Sequence, residues 1–303
     1  MKSAPRVQMR ATARHHRYLQ ALLCPVLWVL SSSTGAGVAA ATVQPARAPY
    51  VFERVGDIEQ VPDGVITALT QDGQGLLWIG TTDGLVRFDG YRFRRYAHDR
   101  ADSGSLPGNR IQALLAARDG RLWVGTHSNG VAVYDAVSDR FERFDTAQGA
   151  QQPLPAGGVR ALAETPDGAI WVGTTGSGLV RIDRTGTVQE FRADGDETGL
   201  LDDRISALAV DAGGSLWIGS WQGLSRRRPA SGVFERVLSD PGDPDGFANT
   251  TIRGIHVASD GAVWVGAQQG QMARLPVELL GRVQPPQASE VQRWRGNGMN
   301  AAI

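Results

Sequence analysis

The sequence predicts an all-β fold, a β-propeller of four-stranded blades with about five blades present, on three observations. A tryptophan recurs at Trp78, Trp123, Trp171, Trp217 and Trp264, at spacings of 45, 48, 46 and 47 residues. Each has a glycine three residues before it (Gly75, Gly120, Gly168, Gly214, Gly261) and another two after it (Gly80, Gly125, Gly173, Gly219, Gly266). A β-branched residue stands twelve before each tryptophan (Ile66, Ile111, Val159, Ile205, Ile252), and a small one ten before (Ala68, Ala113, Ala161, Ala207, Gly254). Repeats of this length mean a solenoid or a propeller.

The interior of one unit decides between them. "GVITALTQD" reads as a strand, Asp72-Gly73 as a turn, "LLWIGT" as a second strand, "TDG" as a tight turn, "LVRFD" as a third strand, and "RFRRYAH" after Gly90 as a fourth. Four short β-branched and aromatic runs divided by Gly and Asp carry no helical period, and four antiparallel strands in that length make one blade. Helical repeats of similar length fail, because glycine recurs inside every segment. On the first strand, a small residue lets neighbouring sheets approach near the central channel. On the second, tryptophan supplies an apolar face for contact between blades, and its flanking glycines serve a turn and a close backbone approach. Five equivalent tryptophans serve architecture and not one ligand site.

Repeats four and five depart from the pattern. "WIGSWQGLSRRR" has arginine where the closing aspartate is expected, and "WVGAQQGQMARLP" loses both Gly-Leu and the aspartate, which puts their third strands in doubt. Arg226–Arg228 reads as a solvated strand edge. After Trp264 the pattern decays, resuming at "GNGMNAAI", so residues 291–303 are expected to pack poorly. "FERVGDIEQVPDGVI" from Phe52 is similar to "FERFDTAQG" and "FERVLSDPG" later on, so the propeller is expected to open with an outermost strand of a blade whose other strands come later.

Before it, residues 1–41 hold Lys2, Arg6, Arg10, Arg14 and Arg17 and no acid, then an apolar run and small residues to Ala41. This reads as a signal peptide, with an N-terminal membrane segment as the alternative. Residues 42–50 are a linker and 51–303 the partial propeller. The only cysteine, Cys24, falls in the apolar run, leaving neither disulfide nor thiolate metal chemistry after cleavage.

Basic and acidic residues number 31 each, and five of the bases lie in residues 1–41. The remainder is therefore net acidic, with no electrostatic footprint for nucleic acid. His98, His127 and His256 stand at non-equivalent places outside any zinc spacing. "DPGDPDG" (Asp240–Gly246) fails as a calcium loop, because Ala248 falls where glycine is needed and Gly254 where the bidentate glutamate belongs. "GTTGSG" (Gly173–Gly178) lacks the Lys-Ser/Thr of a phosphate loop. No catalytic residue, cofactor or metal is expected.

Topology points instead to a face. The turns from second to third strand emerge together and vary from blade to blade, as a binding surface does. Their residues Thr82, Asp83, His127, Asn129, Ser177, Trp221, Gln222 and Gln268 are the candidate ligand contacts. Trp221 is the outlier, an aromatic either stacking on a sugar or peptide group or covering a neighbouring blade. The partner is a small molecule, glycan or peptide, or a second copy in a homodimer.

The unit "DG-x-[LIV]-W-[IV]-G-T-…-G-[LV]-x-[RV]-[FIY]-D", clearest at Trp78–Asp89, Trp123–Asp135 and Trp171–Asp183, resembles the two-component regulator propeller repeat. The resemblance spans about Val51 to Arg274. It implies the periplasmic sensor portion of a bacterial inner-membrane receptor, with five blades out of a seven-bladed ring. It further implies a β-sandwich, a membrane helix and a histidine kinase or diguanylate cyclase output, none of which is read in these residues. The alternatives are a propeller enzyme resembling streptogramin lyase, whose Trp-Gly rhythm is similar, or a secreted interaction scaffold.

Overall fold

A computed structural model describes residues 65–144, 157–229, 231–237, 247–268, 270–280 and 290–295. All lie in the second of two compact units, Arg54–Ile303. The leader, the linker, the opening strand at Phe52, the Asp240–Gly246 loop and residues 296–303 fall outside the described residues.

Glycine and aspartate punctuate β-branched and aromatic runs, so the described residues fold into five antiparallel sheets, each strand pairing with the next in sequence. The first sheet is β1 (Ile66–Gln71), β2 (Leu77–Thr81), β3 (Gly84–Phe88) and β4 (Phe93–Tyr96). The second is β5 (Ile111–Ala116), β6 (Leu122–Thr126), β7 (Val131–Asp135) and β8 (Arg140–Arg143). The third is β9 (Val159–Glu164), β10 (Ile170–Thr174), β11 (Leu179–Ile182) and β12 (Val188–Phe191). The fourth is β13 (Ile205–Val210), β14 (Leu216–Ser220), β15 (Leu224–Arg227) and β16 (Phe234–Val237). The fifth is β17 (Ile252–Val257), β18 (Val263–Ala267), β19 (Gln271–Leu275) and β20 (Gln292–Arg295), with helix α1 (Val277–Leu280) between the last two. First strands stand side by side in chain order, β1 by β5, β5 by β9, β9 by β13 and β13 by β17. The fold is a propeller, with five blades among the described residues.

The core lies between blades. Trp78 packs on Leu122, Tyr134 and Phe141 of the second sheet, and Trp171 on Leu216 and Phe234 of the fourth. Trp123 and Trp217 do the same against the third and fifth sheets. The glycine two residues after each of the first four indoles lets the next blade in. A Cβ on Gly125 would sit 2.6 Å from Cγ1 of Val159, and one on Gly173 would sit 2.6 Å from Cγ2 of Ile205. Every first strand is also bulged at its start, between Ile66 and Ala68 and at the four equivalent places. Ile66 is 53% exposed, whereas its counterparts Ile111, Val159, Ile205 and Ile252 are buried under a preceding sheet.

Three expectations are corrected. The third strands of repeats four and five form, as β15 and β19, because backbone pairing to β14 and β18 does not need the missing aspartates. Gln292–Arg295 is a paired strand, β20, with Trp294 stacked on Trp264 at 5.4 Å; the sequence looked decayed because a helical turn lengthens the loop before it. Arg226–Arg228 is no solvated edge. Arg226 is fully buried, its guanidinium 5.5 Å from the Trp217 ring, donating to Glu235 at 2.7 and 3.1 Å and to the Leu280 carbonyl at 2.9 Å.

Candidate functional site

Four of the five turns between second and third strands are held by one shared device, which the fifth lacks because its second strand ends in Ala267. The hydroxyl ending the second strand folds back on its own turn: Thr81 donates to the Gly84 carbonyl at 2.9 Å, Thr126 to Gly130 at 3.0 Å, Thr174 to Gly178 at 2.8 Å and Ser220 to Gly223 at 3.0 Å. The same oxygens accept the amides of Asp83, Asn129, Ser177 and Gln222. The first turn residue then bonds to the residue entering its own blade. The amides of Thr82, His127, Thr175, Trp221 and Gln268 donate to the carbonyls of Val65, Arg110, Gly158, Arg204 and Thr251. This last backbone bond is thus shared by all five blades, while turn length and side chains differ.

Asp83, Asn129, Trp221, Gln222 and Gln268 are exposed, and Thr82, His127 and Ser177 partly so. Asp83 sits 3.4 Å from Arg95, and Nδ1 of His127 is buried without a partner among the described residues. The turns of blades three to five are linked. The Gly178 amide beside Ser177 donates to the Asp203 carbonyl at the entry to blade four. The Asn249 amide donates to Gln222, and the Thr251 hydroxyl to the Trp221 carbonyl at 3.4 Å, joining this turn to that of Gln268.

At the centre of that run stands a group the sequence reading missed. Asp202, almost fully buried, accepts three bonds from Arg204, at 2.7 Å from its amide, 3.0 Å from Nε and 2.7 Å from Nη2, and also engages the Gln222 side chain. Burial pushes the Asp202 carboxyl up, but hydrogen bonds and charge from Arg204 outweigh it and hold the group below the ordinary aspartate value. The Arg204 guanidinium stands over Trp221, 4.8 Å from its ring centroid, so the indole is 44% exposed yet held on one face. The signal was present in "LDDRI", where an acid two residues before a blade's opening arginine can fork onto it. A fixed, half-exposed indole edged by Gln222 can stack on a planar or sugar face and hydrogen-bond its rim. Among the described residues, no group of three or more His, Cys, Asp or Glu side chains is placed to hold a metal ion.

The family model described as the two component regulator propeller matches residues 60–83, 105–128, 153–176 and 199–222, one stretch in each of the first four repeats. The fifth sheet lies outside those matches but keeps their strand order. A histidine kinase, P4, of Formosa agariphila is 37% identical over 57 residues, which is 19% of this chain and 4% of that protein. The extracellular domain of a B. thetaiotaomicron protein named as a hybrid two component system superposes with a TM-score of 0.59 at 22% identity, covering 78% of this chain and 28% of that one. The virginiamycin B lyase of Staphylococcus aureus superposes at 0.52 with 16% identity, over 75% of this chain and 68% of that one. At such identities both superpositions speak for the propeller fold alone.

Proposed function

We propose that this chain, an array of two-component regulator propeller repeats, is the extracytoplasmic sensory part of a bacterial transmembrane signalling protein and that its turn face binds a ligand or partner. One observation carries the reading: five turns fixed by the same backbone bonds bear different side chains, which is what a rigid platform for recognition requires. Likeness to a histidine kinase over 57 residues and to a hybrid two component system's extracellular domain supports the location and the signalling role. The contact surface is centred on Trp221, Gln222 and Arg204, with Ser177 and Gln268 at its sides, and it accepts a glycan, a peptide or a small molecule with a flat apolar face. Binding there shifts an equilibrium between arrangements of the receptor, and so signals.

The test is a glycan- and peptide-array screen of the protein beside Trp221→Ala. We expect bound features to lose at least tenfold in signal while the melting temperature hardly moves. Unchanged array binding with a large fall in melting temperature would mean that Trp221 serves packing, and would sink the reading.

A further inference from the structure

On the opposite end of the blades from the turn face, one side chain breaks the interblade packing rule. The third-strand residue that lies over the preceding blade is Tyr134 in the second blade, Ile182 in the third and Leu275 in the fifth, each buried in the core; its equivalent in the first is Phe88. In the fourth blade it is Arg227, paired across the sheet with Leu216 and Phe234. Its guanidinium carbon is 5.1 Å from the Trp171 ring and 5.8 and 5.9 Å from Phe191 and Phe234. Nε is buried and, among the described residues, has no hydrogen-bond partner. A cleft of about 570 Å³ opens beside it, lined also by Asp167, Arg181, Gln189 and Pro229.

A leucine packs such a position at no electrostatic cost, as Leu275 does. A guanidinium there pays desolvation and leaves a donor unmade, and burial presses its acidity in the corresponding direction, lowering the pKa. What arginine adds is a planar fork of donors that matches an oxyanion. The neighbouring charges set the valence. Arg181 is already matched by Asp167 at 2.8 Å, so among the described residues Arg227 leaves the cleft with one unmatched positive charge.

We infer that the cleft between the third and fourth blades is a binding site for a monoanionic carboxylate, whose oxygens meet the Arg227 guanidinium and whose apolar body lies along Trp171, Leu216 and Pro229. The site is separate from the turn face, so either can fail without the other.

The probe is benzoate, with benzamide as its neutral counterpart and inorganic phosphate as the competing oxyanion, titrated into the whole protein by calorimetry and followed at the arginine Nε–H signals by NMR. The expected result is saturable benzoate binding that moves the Arg227 Nε–H signal, at least tenfold weaker binding of benzamide, and weaker binding of phosphate than of benzoate. Arg227→Leu, borrowing the residue of the fifth blade, should weaken benzoate at least tenfold while melting no lower than the parent. Arg227→Lys, which keeps the charge and loses the fork, should fall between, and Trp221→Ala should leave benzoate binding unchanged. Absent benzoate binding, equal binding by Arg227→Leu, or a preference for phosphate would each overturn the assignment.

Discussion

Six residues before each repeated tryptophan the chain places Asp72, Ala117, Thr165, Asp211 and Ala258, and this position decides whether the buried indole N–H has an acceptor. Asp72 accepts from Trp78 at 2.8 Å, Thr165 from Trp171 at 3.0 Å and Asp211 from Trp217 at 2.9 Å. Ala117 offers nothing, and Nε1 of Trp123 has no partner among the described residues. Ala117→Asp should therefore stabilise the protein by about 1 kcal/mol, read from urea unfolding, since a buried donor gains its bond. Asp211→Ala should cost about 1–3 kcal/mol by orphaning Trp217. Asp167 is one of the carboxyls that shape the acid limb of stability. Burial alone would raise the Asp167 carboxyl, but the Thr165 hydroxyl, Arg181 and the Ala169 amide bring it down to about 2 from the ordinary 3.8. A carboxyl depressed on folding gives stability that is full above the unfolded value and is lost as pH falls through the folded one. The melting temperatures of the parent and Asp167→Asn should thus differ at neutral pH and converge as pH drops from 3.8 towards about 2.

Among the elements, β15 shows best what sequence could and could not say. The spacing from Trp217 marked its place but the missing aspartate put the strand in doubt, and the placement of its arginines was not legible. Charge argues for solvent, but register puts Arg226 across from both Trp217 and Glu235, and the neighbouring helix α1 turns the Leu280 carbonyl towards it. Only tertiary packing supplies those partners. Arg226→Met should cost about 3 kcal/mol, because Glu235 is left with Arg228 alone in a mostly buried setting. Arg274→Met, which breaks the exposed pair with Asp260, should cost under about 1 kcal/mol. Denaturant titrations of the two variants side by side check the contrast. β20 was obscured for another reason: periodicity finds a strand by its distance from the last one, and an inserted helix spoils that distance.

For the molecule as a whole, the seams between blades carry the stability, since each sheet touches only its neighbours. Gly173→Ala would drive a methyl into Ile205, at 2.6 Å from its Cγ2, and should destabilise by about 1–3 kcal/mol. Gly176→Ala, with nothing within 4 Å, should leave the unfolding midpoint nearly unmoved. The number of sheets and their order could be read from tryptophan and glycine alone, because those residues answer to a geometry repeated five times. The Asp202–Arg204–Trp221 cluster could be read only in part, since it occurs once and draws on two adjoining segments. The repeated bulge has a wider consequence. Five open strand edges converge on a common hub, where straight edges could zip together into a barrel; a kinked edge cannot present an unbroken row of donors and acceptors. Thr67 and Ser206 instead donate single side-chain bonds to the next blade, at the carbonyls of Ile111 and Ile252. With no continuous ladder joining the described first strands, a blade can be gained or lost in evolution without any of those strands changing its pairing.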